Sequence, residues 1–343
     1  MFQCYGIRNF RFYDTVTLKH SERGHNPKPF NPKLLNPKLP YLCRMLSLDP
    51  KELKTALLHQ YLLHAVAPRP IAFASTVDKD GNSNLSPFSF FNVFSANPPV
   101  VIFSPARSGR TGATKNTLDN VREVPEVVIN VVNHALVQQA SLSSTEYAKG
   151  VNEFVKAGLT EIPSVKIQPS RVKESPVQFE CIVREIIELG QQGGAGNLVI
   201  AEVVMMHINE EILDPETGMI DQQKIDLVAR MGGDIYCRAS GDALFKVAKP
   251  LLTIGIGIDA IPESIRTSKI LTGNHLGKLG NVEKMPTPEE IRTFIDKGAI
   301  NEAFELYGQN HNKLDIHLHH IAAGLLNDGK VDEAWKVLLS DQL

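Results

Sequence analysis

The stretch from Asn84 to Pro99, NLSPFSFFNVFSANPP, interleaves aromatic bulk with hydroxyl and amide side chains. Pro87, Pro98 and Pro99 stiffen it, and because proline cannot donate to a sheet ladder, a central strand is disfavoured here. Phe88, Phe90, Phe91 and Phe94 are equally out of place in a solvated loop. An irregular segment lining a cavity satisfies both constraints, with free backbone N–H groups facing a flat, polar-edged ligand. A strand end carrying aromatic core residues is the other reading, and the segment alone leaves both open.

A second group of residues suits an anion. Ser75, Thr76, Ser104, Arg107, Arg110, Lys115 and Thr117 fall near the ends of apolar runs, where hydroxyls and cations can converge. If a helix starts at Asn116, Lys115 and Thr117 stand at its positive end. The competing reading has Thr114 capping that helix and Lys115 as a solvated charge.

The elements that must position these groups read mostly as strands. Ile71 to Val77 is apolar and β-forming and ends at Asp78-Lys79-Asp80-Gly81-Asn82, a hairpin signal. Val100 to Phe103 and Val127 to Val132 are short continuous apolar runs suited to buried strands. Phe179 to Leu189 and Leu198 to Ile208 flank a turn rich in glycine at Gly193, Gly194 and Gly196. Short helices are expected at Ala135 to Ser143 and Thr145 to Ala157. Many strands with few helices favour a closed antiparallel barrel over alternating β and α units.

Taken in order, PRPIAFAST, DGN, NLSPFSFFN, NPP, KNTLDN, SPVQFEC (Ser175 to Cys181) and ARMGGDIY (Ala229 to Tyr236) resemble the flavin reductase-like family, the flavin-binding split barrels that include flavoredoxins. The resemblance covers about Met45 to Lys249. It implies a mainly β α+β fold, an FMN-binding split β-barrel, followed here by a C-terminal helical appendage. It also implies FMN as cofactor, NADH or NADPH as reductant, and a homodimer with the flavin near the subunit interface.

The same resemblance turns the two residue groups into flavin contacts. Ser75, Thr76, Ser104, Arg110, Lys115, Asn116 and Thr117 become candidates around the phosphate. Relatives usually carry Asp where Asn116 stands, so no carboxylate acts at that position. The loop Ser86-Pro87-Phe88-Ser89 offers amides and hydroxyls to the pyrimidine edge and N5, with Phe88 bordering the ring and Phe90 and Phe91 left to the core. Arg69 in PRPIAFAST, Asn84 in NLSPFSFFN, and Arg230 and Tyr236 in ARMGGDIY complete the set. Gly232 and Gly233 would let backbone approach closely. Hydride transfer to a flavin requires no protein acid or base, so no catalytic residue is assigned.

Other motifs fail on context. Gly255 to Ala260 matches GxGxxA, but Pro262 stands where that motif needs a long helix. GNHLGKL, Gly273 to Leu279, is one residue short of a phosphate-binding loop and ends in Leu. His317, His319 and His320 form HLHH with His311 nearby, yet no cysteine or paired-carboxylate pattern completes a metal site. Cys4, Cys43, Cys181 and Cys237 lack CxxC spacing, as expected of reduced thiols in a cytoplasmic protein.

The 343 residues include 36 Lys and Arg against 38 Asp and Glu, a net charge of −2 that implies no nucleic-acid or membrane field. That charge is uneven. Residues 1–44 are basic, carry Asn-Pro-Lys at Asn26, Asn31 and Asn36, and lack an apolar targeting core. They read as a flexible extension, or as sequence upstream of a true start at Met45, where Asp49 and Pro50 announce a helix. A barrel over 45–250 and a C-terminal part over 251–343 follow. In the latter, Ile261 to Pro288 reads as chain wrapped on the barrel. Lys297 to Phe304 then aligns with Asp328 to Trp335 at an offset of 31, with Ile291, Phe294 and Ile295 opposite Ala322, Leu325 and Leu326. Such spacing suggests helix–turn–helix repeats of tetratricopeptide type, too few to stand alone and so packed on the barrel, a second subunit or another protein. Chance-similar amphipathic hairpins are the alternative.

The functional expectation is an FMN-dependent oxidoreductase passing electrons from NAD(P)H to a soluble or protein acceptor. An electron carrier reduced by a partner protein, and a non-catalytic flavin-binding scaffold, are the alternatives.

Overall fold

The computed structural model describes residues 45–250, 253–298 and 300–342. The expected basic extension over 1–44, with Cys4 and Cys43, lies outside the described residues. The chain divides into two compact units between Gly241 and Asp242, somewhat before the boundary at 250 drawn from sequence.

In the first unit, an Asp49-capped turn over Pro50–Glu52 precedes helix α1 (Thr55–Ala65). The Asp49-Pro50 signal thus starts a separate 3-10 turn instead of the helix itself. Seven strands then form one antiparallel sheet: β1 (Ala72–Val77), β2 (Ser83–Phe88), β3 (Phe91–Ala96), β4 (Pro99–Phe103), β5 (Glu126–Val131), β6 (Val177–Glu188) and β7 (Asn197–Ile208). Their order is β2-β1-β5-β6-β7-β4-β3. The expected hairpins β1–β2 and β6–β7 are both present. The first turns because Asp78 Oδ1 accepts the amides of Asp80 and Asn82 while Gly81 takes φ +83°.

The segment 84–99 is not irregular. It supplies β2 and β3, the two outermost strands, and Pro87 is tolerated because β2 has a free edge where no ladder donor is required.

The sheet closes on itself. In a flat sheet β2 and β4 would lie five strand spacings apart, about 24 Å. Instead the rings of Phe88 and Phe103 are 5.6 Å apart. Bulges in the β6–β7 pairing, near Cys181 and Glu185, assist the coiling. Ala72, Ala74, Val101, Val127, Ile129, Cys181, Val199 and Ala201 line the interior, and Leu118 and Val121 of helix α2 (Asn116–Glu123) plug it. The opposite face of β1 packs Phe73 against Leu136, Ala140 and Phe154, from helices α3 (Val137–Leu142) and α4 (Glu153–Ala157) and their flanks. All six β1 residues are buried as a result. The short helical stretch expected over Thr145 to Ala157 narrows to α4, because Gly150 takes φ +88° and Asn152 caps a new start with its side chain.

Among the described residues of this unit, one charged side chain has no exposed surface. Glu180 is 0 % exposed, accepts the amides of Val165 and Lys166, and sits 2.7 Å from His207 Nε2. Burial pushes its carboxyl up, but those two amides and His207 outweigh burial and hold it below the usual range. Cys181 beside it is a buried free thiol, driven up by burial and then by the Glu180 charge.

The second unit has its own core. Helices α5 (Glu263–Arg266), α6 (Gly273–Gly280), α7 (Pro288–Asp296), α8 (Asn301–Tyr307), α9 (His311–Asn327) and α10 (Val331–Leu338) surround Leu279, Leu318, Leu326 and Trp335. Thr287 and Glu290 form a reciprocal capping box on α7. The repeat is visible in the backbone. Gly298 and Gly329, 31 residues apart, both take left-handed φ, +82° and +78°, at the turns α7–α8 and α9–α10. Ala303 and Ala334 are both buried at the following helix.

Ile261, Ile265, Leu271 and Leu279, from the segment Ile261 to Pro288 expected to wrap on the barrel, are buried in the core of the helical unit. They supply the layer that two hairpins alone would lack. Trp335 Nε1 donates to Leu279 O at 3.2 Å. In the HLHH cluster, His319 is buried with its Nδ1 2.7 Å from Ser268 Oγ, which itself accepts the amides of Ile270 and Leu271. His317 packs against Tyr307.

Because the native Glu180 carboxyl is held low, its stabilisation is present above the unfolded carboxylate range, near ~4.3, and fades as pH falls through its folded pKa. Glu180→Ala is expected to cost about 3 kcal/mol by stranding two amides and His207. Denaturant melts from pH 7 down to 3 check both. Equal acid sensitivity of wild type and Glu180→Ala would remove this group as a source of acid lability.

Candidate functional site

A polar cleft opens beside β2. Its walls come from Asn84 and Ser86 on that strand, the loop 108–117 leading into α2, the segment 143–147 after α3, and Glu153 of α4. Helix α2 begins here with Lys115 at its N-cap and no side chain capping it. The competing reading, with Thr114 as the cap, does not hold, because its hydroxyl donates to Asp119 Oδ2 at 3.0 Å and Lys115 stands at the N-cap. The positive end of α2 is therefore free to face an anion in the cleft. Thr117 Oγ1 is buried there with no protein partner.

The loop before α2 is held by the β6–β7 hairpin tip. Arg107 N donates to Ala195 O, and Gly194 N donates to Arg107 O. A Cβ on Gly193 would lie 2.9 Å from Ser108 O, so this approach requires glycine.

A second cleft adjoins the first at Ser144, which lines both. Its lining includes Ile71, Pro87, Ser89, Val137, Arg230 and Tyr236. The two make one groove across β2, with hydroxyls and a lysine at one end and more apolar walls at the other. At the far end, strands β8 (Val228–Arg230) and β9 (Tyr236–Arg238) present Arg230 over the Tyr236 ring, 4.9 Å from its centroid. Arg230 also donates to Tyr236 Oη at 2.8 Å and to Gly233 O.

Of the residues singled out from sequence, Asn84, Ser86, Lys115, Asn116 and Thr117 meet in the first cleft. Pro87, Ser89, Arg230 and Tyr236 meet in the second. Arg110 is exposed and reaches the first cleft only through Glu146, 3.7 Å away.

The others line neither cleft. Arg69 is buried and donates to Leu63 O, Val66 O, Met231 O and Ser89 Oγ, while its backbone bridges to Arg230. It ties the end of α1 to β8. Ser104 Oγ accepts the Asn197 amide. Thr76 Oγ1 accepts from Asn120, and Ser75 Oγ is buried within β1 with no hydrogen-bond partner. Phe88 turns into the barrel against Phe103, while Phe90, assigned to the core, is 39 % exposed.

Sequence reasoning missed Ser143, Ser144, Thr145 and Glu146, which form one wall. The hydroxyl run SLSST, 141–145, was the available signal. It also missed Glu153, whose carboxyl accepts the Leu85 amide at 3.0 Å on the free edge of β2. Burial pushes that carboxyl up, against the pull of the amide.

Comparison with known proteins agrees with this architecture. The flavin reductase like domain model matches residues 64–225. A protein of Aquifex aeolicus is 35 % identical over 198 residues, covering 57 % of this chain and 97 % of its own length. Nitrilotriacetate monooxygenase component B from Bacillus cereus is 30 % identical with a TM-score of 0.55, covering 59 % of this chain and 98 % of its own. The 2-nitrobenzoate 2-nitroreductase NbaA of Pseudomonas fluorescens is 25 % identical with a TM-score of 0.53, over 61 % and 100 % of the respective chains. The fold and these likenesses define a flavin-dependent oxidoreductase built on a split barrel. The chain belongs to the flavin reductase-like family.

Proposed function

We propose that the protein binds FMN along the groove across β2 and passes electrons from NADH or NADPH through it to a soluble or protein acceptor. The observation that carries this reading is the buried, unpartnered Thr117 hydroxyl at the uncapped start of α2, beside Lys115. A phosphate suits that donor set, since it accepts from hydroxyl, amide and ammonium together.

Lys115, Thr117 and the Asn116 amide hold the phosphate in this reading, with Arg110 at the rim. Asn84, Ser86 and Ser89 face the polar edge of the ring, and Pro87, Arg230 and Tyr236 border it. When bound, the flavin supplies hydride acceptance and electron release. The chain supplies position, hydrogen bonds and exclusion of water. No protein acid or base enters the proposal.

Dimerisation fits the same picture. Strand β3 is an outermost strand on which Val93 and Phe94 are each 63 % exposed, and Leu57, Tyr61 and Leu62 are exposed on α1. An apolar free edge of this kind calls for a partner, and a second copy is the one proposed. Cys181 and Cys237, free thiols among the described residues, fit a reducing cytoplasm. Among the described residues, no helix is long and apolar enough to cross a membrane.

Three measurements test this. Anaerobic addition of NADH or NADPH should bleach the bound flavin spectrum within a turnover. Bleaching only by a reduced partner protein would make the protein an electron carrier, and a flavin that no donor reduces would leave a binding scaffold. Lys115→Ala should weaken FMN binding by about tenfold, the loss of one charge-assisted contact. Unchanged FMN occupancy would take Lys115 out of the phosphate site. Light scattering should give a dimer mass, and Phe94→Glu should shift it towards monomer; a monomeric wild type would rule the interface out.

A further inference from the structure

The anion-binding end of the first cleft already holds an anion belonging to the chain. Lys115 Nζ lies 2.6 Å from Glu146 Oε1, and Arg110 lies 3.7 Å from the other oxygen of the same carboxylate. Both cations proposed for the phosphate therefore converge on one side chain. Lys115 holds the Glu146 carboxyl below its ordinary range, against the opposing pull of burial.

Glu146 is also well placed to stay there. Its segment follows α3, with Thr145 N donating to Leu142 O and Tyr147 N donating to Thr145 O. The next side chain, Tyr147, lies under Lys156 of α4, 5.8 Å from ammonium to ring centroid. The cleft's other carboxylate, Glu153, is spent on the Leu85 amide. Asp119, near the same helix start, is engaged by Thr114 and Arg122. Glu146 is thus the acid that meets the cationic pole.

We infer that Glu146 is a built-in competitor for the phosphate of the flavin, and that it sets the protein towards exchanging flavin instead of retaining it. The inference rests on the flavin reading of this groove. A dianionic phosphate and the Glu146 carboxylate cannot share Lys115 without strong like-charge repulsion. Binding must therefore displace Glu146 or proceed against it. Release restores the Lys115–Glu146 pair, so the empty form is stabilised relative to one with a bare ammonium. The competition acts on the phosphate, because Lys115 and Glu146 line the first cleft and neither lines the second, where Pro87, Ser89, Arg230 and Tyr236 meet.

The test compares FMN with riboflavin, which has the ring and lacks the phosphate. Flavin-fluorescence titrations on the full chain would use wild type and Glu146→Gln, an isosteric change at an exposed position. FMN should bind about fivefold more tightly to the variant at low salt, the scale of a surface ion pair. Riboflavin should bind both proteins equally, and the FMN difference should shrink in 1 M salt. Unchanged FMN affinity in Glu146→Gln, or equal gains for FMN and riboflavin, would overturn the role of Glu146 while leaving the flavin site standing. Failure of both flavins to bind either protein would overturn the flavin reading and this inference with it.

Discussion

Phe88 packing on Phe103 marks the closure on which the rest of the first unit depends. An antiparallel sheet with one apolar face must cover that face, and here it does so by curling until its outer strands approach each other. The curl leaves β2 with a free edge, and the molecule treats that edge in two ways. Glu153 satisfies the Leu85 amide, and Arg69 and Ser89 tie the adjoining chain to the end of α1. The groove lies along this same edge because it is where strand backbone and hydroxyls remain reachable from outside. Closure of the core and opening of the site have one origin.

The apolar strands were legible in the sequence, since β1, β4, β5, β6 and β7 coincide with runs of β-forming residues. The sequence leaves segment 84–99 open between irregular chain and a strand with aromatic core residues; it does not say which strand will be outermost, and only that position excuses Pro87. Phe88 was aimed at a ligand and points into the core. The parity of a strand cannot be fixed until its neighbours are known.

The polar residues divide along a similar line. Lys115, Thr117, Asn84 and Ser86 converge on one cleft. Ser104 and Arg69 have the same chemical types but serve backbone groups of distant segments, Asn197 in one case and Met231 in the other. A hydroxyl or guanidinium announces that it needs a partner, and only the fold supplies which one. The wall over 143–147 was missed for the converse reason: its hydroxyls acquire meaning only when α3 is packed beside β2.

The helical unit stands on a separate physical footing. Its paired hairpins share a left-handed glycine at each turn, and the chain around Leu271 and Leu279 closes the core that the hairpins leave open. Trp335 lies within that core, bonded to Leu279 O, and the chain contains no other tryptophan. Indole emission consequently reports on the helical unit alone, while a flavin held in the proposed groove would report on the barrel. Two colours of light can therefore follow the two units independently as a single molecule unfolds.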